Sequence, residues 1–88
     1  MHIKPGFMLR SMGEDHIVIG EGLAQVNFNS ILSLNESAAF LWERLVGQEF
    51  TVEDMVRLLM EEYEVDEELA TKDAVSLAET WKGQGVLE

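Results

Sequence analysis

Two histidines, His2 and His16, and the run Glu61-Glu62-Tyr63-Glu64-Val65-Asp66-Glu67-Glu68 are the residues of this chain whose types could do chemistry. Imidazoles could hold a transition metal or act as general bases, and crowded carboxylates could hold calcium. The spacing supports neither. His2 is expected in a frayed terminus and His16 at the start of a strand, and neither has a His or Cys partner at ligand spacing. The acidic run lacks the Asp-x-Asn/Asp-x-Asn/Asp-Gly order of an EF-hand loop, and Asp66 is better placed as a helix cap. It reads as a solvated helical face.

Other constellations fail in the same way. Gly20-Glu21-Gly22 is not a dinucleotide fingerprint, because Gln25 stands at the third glycine position and a strand rather than a helix follows. No serine sits in a Gly-x-Ser-x-Gly elbow. Most carboxylates fall on predicted helix surfaces, where nothing raises their pKa without burial. Trp42 and Trp81 lie on apolar stripes and are expected in the core, not as stacking platforms. The expectation is a non-enzyme without metal or organic cofactor.

Bulk properties narrow the class further. At 88 residues the chain is read as one domain, residues 1–88, and a domain this small buries only about 60% of its unfolded surface. Its 47% hydrophobic content suits a folded domain and excludes a disordered chain. Cysteine is absent, so no disulfide can staple the fold. No apolar run approaches the roughly 18 residues of a membrane span, and the first residues lack a signal peptide's apolar stretch. A cytoplasmic location is expected. Asn35-Glu36-Ser37 matches a glycosylation sequon, but a helix cap is its simpler reading.

The net charge of −11 is unevenly placed. Residues 1–34 carry −1, whereas residues 35–88 set fourteen acidic side chains against four basic ones. Such a surface repels phosphate backbones, which counts against nucleic-acid binding.

The elements that would position any site read as strands first and helices after. Phe7–Met12 and His16–Ile19 flank the turn residues Gly13-Glu14-Asp15 and form an expected antiparallel hairpin. Residues 26–34 resume extended structure, either as one bulged strand or as a small hairpin. The first helix runs from Glu36 to Val46, capped by Asn35, with Ala38, Leu41, Trp42 and Leu45 inward and Gly47 at its end. The second starts from the Thr51/Asp54 pair of a capping box and buries Val52, Met55, Val56, Leu59 and Tyr63. The third is capped by Asp66, carries Ala70, Ala74, Leu77 and Trp81 on one face and ends near Gly85. Val86-Leu87 then closes the core. The fold class is α+β, winged-helix-like: a small antiparallel sheet of about three strands followed by three helices.

The junction Leu34-Asn35-Glu36-Ser37-Ala38 resembles the signature of the pyrroloquinoline-quinone synthesis protein D (PqqD) family, a strand ending in "LNE(S/T)(A/G)" followed by three helices. "GFMLR" is similar to the family's first strand, "FTVEDMVRLLMEEYEVDEE" to its second helix and following turn, and "KDAVSLAETWKGQGVL" to its last helix and tail. The resemblance implies a RiPP recognition element, a chaperone-like module that binds the leader of a ribosomally made precursor peptide. It would present that leader to a modifying enzyme such as a radical-SAM protein. The leader would add as a strand beside Ile31, Leu32, Ser33 and Leu34, in the groove toward Asp73, Leu77 and Thr80 of the third helix. The segment "GEGLAQVNFNS" is longer than the family's short turn, so the resemblance does not fix the pathway.

Two rival readings remain. A small acidic interaction subunit could cover its own edge, or pair as a homodimer through an edge strand or an exchanged hairpin. A DNA-binding winged helix would need a basic recognition helix, yet residues 67–82 set Lys72 and Lys82 against Glu67, Glu68, Asp73 and Glu79. The second rival is the weaker.

Overall fold

The computed structural model describes residues 1–21 and 32–88. Its elements are β1 (Phe7–Met12), β2 (Asp15–Gly20), β3 (Leu32–Leu34), α1 (Glu36–Leu45), α2 (Val52–Glu62) and α3 (Glu67–Gly83). This is the expected α+β order. The sheet is antiparallel throughout, in the order β1-β2-β3. Only Leu32–Leu34 of the extended 26–34 reading is described, so the choice between one bulged strand and two lies outside the described residues.

The β1–β2 hairpin closes through Gly13-Glu14, with Met12 opposite Asp15. Gly13 has φ 64° and no non-glycine among the described residues has positive φ, which is the requirement of a type II′ turn with glycine first. Its twist matches that of the flanking strands, so the hairpin is locally encoded.

Each helix starts on the cap its sequence offers. Asn35 Oδ1 accepts from Ala38 N–H at 2.9 Å and from Ser37 Oγ at 3.1 Å. Thr51 and Asp54 make the reciprocal box, with N–H to oxygen distances of 3.2 and 2.9 Å. Asp66 Oδ1 accepts from Leu69 N–H at 2.8 Å. The end of α3 is equally specified. Gly85 (φ 79°) donates to Lys82 O, and Val86 N–H reaches back to Trp81 O, the paired bonds of a Schellman motif. That turn drops Val86 into the core, where it is fully buried.

The core lies between the inner sheet face and the helices. Val18, Leu32 and Leu34 meet Leu41, Trp42 and Leu45 of α1, and Met55 and Leu59 of α2. Trp42 and Trp81 pack edge to face, with ring centroids 5.3 Å apart. Ala70, Ala74 and Ala78 give α3 a small-residue face. Phe50, Leu58 and Ile3 are also buried, though the helical stripes read from sequence did not include them. Among the described residues no helix is long and apolar enough to cross a membrane.

One expectation fails. His2 is not frayed: its N–H donates to Glu88 O, and Glu88 N–H donates to His2 O, both at 2.9 Å. Ile3 and Leu87 form the bridge beside them. The His2 ring lies between two carboxylates, 3.2 Å from Glu49 and 2.6 Å from Glu88. The terminus is held because the Schellman turn returns residues 86–88 alongside it, a pairing of chain ends that local sequence does not display.

Asn35→Ala should destabilise the protein by about 0.5–2 kcal/mol, read as a lower denaturation midpoint with unchanged slope. A hydrogen bond from the N-terminal ammonium chiefly holds Glu49 below the ordinary carboxylate value of 4.5, against an opposing desolvation. A depressed folded pKa stabilises above the unfolded pKa, and that contribution is lost as pH falls through the folded one. The melting temperature should therefore drop below pH 4.5 less steeply in Glu49→Gln than in the wild type.

Candidate peptide-binding groove

The strand side of the groove follows from the ladder. Glu21 N–H donates to Gly6 O, so residues 6 and 21 are a hydrogen-bonded pair. Bonded and non-bonded pairs alternate along an antiparallel ladder, which makes 8/19, 10/17 and 12/15 the bonded pairs of β1 and β2. On β2 the even-numbered residues then face β3, so His16/Leu34 and Val18/Leu32 are bonded and Ile17/Ser33 is not. The N–H and C=O of Ser33 therefore point away from β2, to the outer edge. Leu32 and Leu34 are spent inward twice, in the ladder and in the core, where each is only 7% exposed.

Beyond this edge the chain leaves the sheet abruptly. Asn35 stays extended (φ −77°, ψ 178°) and the next residue is helical. A cleft of about 210 Å³ opens there. One wall is Asn35, Ser37, Ala38 and Leu41, the other is Asp73, Ser76, Leu77 and Thr80 of α3, and Leu59 of α2 completes the lining. Leu77 is half-buried, while Asp73 and Thr80 are exposed. Thr80 Oγ1 donates to Ser76 O at 3.0 Å, so its hydroxyl is tied to the helix's own backbone.

The three helix residues expected at the groove thus share one cleft. Leu32, Ser33 and Leu34 lead up to its rim through Asn35 without lining it, and Ile31 lies outside the described residues. Asn35, Ser37 and Ser76 were not among the expected site residues. Ser76 could have been found, since 73, 76, 77 and 80 follow the i, i+3, i+4, i+7 pattern of one helical face. Asn35 and Ser37 could not, because their place depends on how α1 meets α3.

A larger recess, about 640 Å³, lies at the hairpin tip among His16, Glu36, Phe40, Glu43, Glu62 and Tyr63. Its His16 makes a Ser-His contact, Ser11 Oγ to His16 Nδ1 at 2.7 Å, between side chains directly opposite on β1 and β2. No carboxylate among the described residues pairs with His16, so the third group that orients a catalytic base is missing. Burial, then Glu36 and Glu62, pushes the Tyr63 phenol above its ordinary value of 10.0, which keeps it protonated rather than activating it. The described residues contain no group of carboxylates, histidines or cysteines suited to a metal ion.

Residues 17–87 match the family of Coenzyme PQQ synthesis protein D (PqqD). The chain belongs to that family. The match takes in most of β2, β3, the junction and all three helices, so it covers both walls of the groove. Two solved structures share the fold of this PqqD-family chain. One is TbiB1 in complex with the TbiA(β) leader peptide, with a TM-score of 0.75 at 16% identity over 100% of this chain and 95% of that one. The other is a lasso peptide synthetase B1 complexed with the leader peptide, with a TM-score of 0.72 at 21% identity over 99% and 95%. No curated protein matches the sequence significantly.

The edge assignment is checked by amide hydrogen exchange. The Leu32 and Leu34 amides should be protected and the intervening Ser33 amide should exchange far faster. Protection of Ser33 with fast exchange at Leu32 and Leu34 would mean that the ladder is shifted by one residue.

Proposed function

We propose that this protein binds the leader of a ribosomally made precursor peptide as a strand added to β3, and holds it for a modifying enzyme of the radical-SAM class. The observation that carries the reading is the outward N–H and C=O of Ser33 beside a cleft walled by α3. An extended guest satisfies the edge, and its alternate side chains reach the cleft. Family membership and the two leader-bound neighbours of the same fold support it. The protein acts as a non-catalytic adaptor.

The interaction is of roughly micromolar strength, about −8 kcal/mol. A leader that is disordered when free loses conformational entropy on pairing, which limits affinity although the edge is preformed. The walls need little rearrangement, because Asn35, Asp73, Leu77 and Thr80 all sit on or next to capped helices.

The test is a titration of isotope-labelled protein with synthetic leaders of precursor peptides encoded beside its gene. Amide shifts should concentrate at residues 32–35 and along residues 73–80. Ser33→Pro should weaken binding with the circular dichroism spectrum unchanged, since that N–H faces outward and supports no bond to β2. Leu77→Asp should also weaken it, by placing a charge in the cleft. Shifts confined to the acidic stretch 61–68 would replace strand addition with a charge-driven surface.

A further inference from the structure

The wall formed by α3 continues past the cleft. Leu69 stands one turn before Asp73 on the same helical face, and it is 47% exposed, among the most exposed large apolar side chains of the molecule. The face therefore reads Leu69, Asp73, Leu77: apolar, acidic, apolar, at four-residue steps. Each step advances about 6 Å along a helix. Same-face residues of an extended strand, two apart, advance about 6.6–6.8 Å. A strand lying along α3 can thus set three successive same-face side chains against these three residues without losing register.

The charge of the middle position is unanswered among the described residues. Among the described residues Asp73 has no ion-pair partner, and none of the six Lys and Arg residues lines the cleft. The positive end of α1 opens nearby, but Asn35 caps it and Glu36 occupies its first turn, so its partial charge is already complemented. The net charge of −11 adds a long-range preference of the same sign. An acidic guest residue at this point would meet a carboxylate beside an apolar floor.

We propose that the guest segment is selected for the pattern apolar–x–basic–x–apolar, with its Lys or Arg on Asp73 and its apolar side chains on Leu77 and Leu69. This rests on the leader-binding reading and names the leader class that it admits. Asp73 sets charge selectivity, and the two leucines set spacing.

The probe is a displayed library of random dodecapeptides, selected in parallel on the wild-type protein and on Asp73→Lys, whose fold circular dichroism verifies. Wild-type binders should shift the Ser33 amide and share the pattern. Replacing the central Lys or Arg of one such peptide with Glu should weaken it about tenfold at low salt and less at high salt, as attraction becomes repulsion. Selection on Asp73→Lys should return Asp or Glu at that position. Binders that shift Ser33 yet show no charge preference, or none that inverts, would overturn the selectivity and leave strand addition standing. Binders that miss Ser33, or no binders at all, would overturn both.

Discussion

An antiparallel strand has two rows of backbone donors and acceptors, and β3 spends only one of them. Leu32 and Leu34 turn their amides to β2 and their side chains to the core, which leaves Ser33 with its polar backbone groups facing outward. Everything else about the groove depends on keeping that edge in place. Rigidity comes from the leucines. On its C-terminal side Asn35 ends the strand at once and starts α1 with a cap bond of 2.9 Å. A strand continuing further would have lengthened the sheet, and a slower turn would have laid loop across its edge.

A core this small has few residues to hold such an arrangement. The edge-to-face pair Trp42–Trp81 ties the helix that follows the edge to the helix that faces it. An aromatic pair of that kind adds about 0.5–1.5 kcal/mol beyond its burial. The indole N–H of Trp81 is buried without a hydrogen-bond partner among the described residues, a cost the packing has to offset. The clasp of the termini adds a second tie, since His2 and Glu88 exchange backbone bonds and Val86 fills the space under α3. Both ties act on α3, the outer wall of the groove.

The charge distribution divides the molecule by role. Caps account for Asn35, Thr51, Asp54 and Asp66, and Glu49 answers the N-terminal ammonium. Other carboxylates, including Glu61, Glu64 and Glu68, are exposed on helices or their connections, where they solvate the surface. Asp73 is exposed on a helix as well, but it lines the cleft. Its neighbours one turn away along α3 are Leu69 and Leu77.

Much of this was legible in the sequence because the physics involved is local. A cap bond spans three residues, a type II′ turn needs one glycine, and a helical stripe repeats within a turn, so Asn35, Gly13, Leu41 and Ala74 announce their roles unaided. The family likeness of "LNESA" then indicated which edge and which helix to consider, and Asp73, Leu77 and Thr80 do share a cleft. Tertiary structure alone decided the rest. Which of three adjacent strand residues faces outward depends on the parity of two ladders, and a one-residue change in either would have selected Leu32 and Leu34 instead of Ser33. The burial of Phe50 and Ile3, the clasp on His2 and the approach of Ser37 to Ser76 join residues far apart in the chain. Contacts of that range are set by how the elements pack together, and no local pattern carries them.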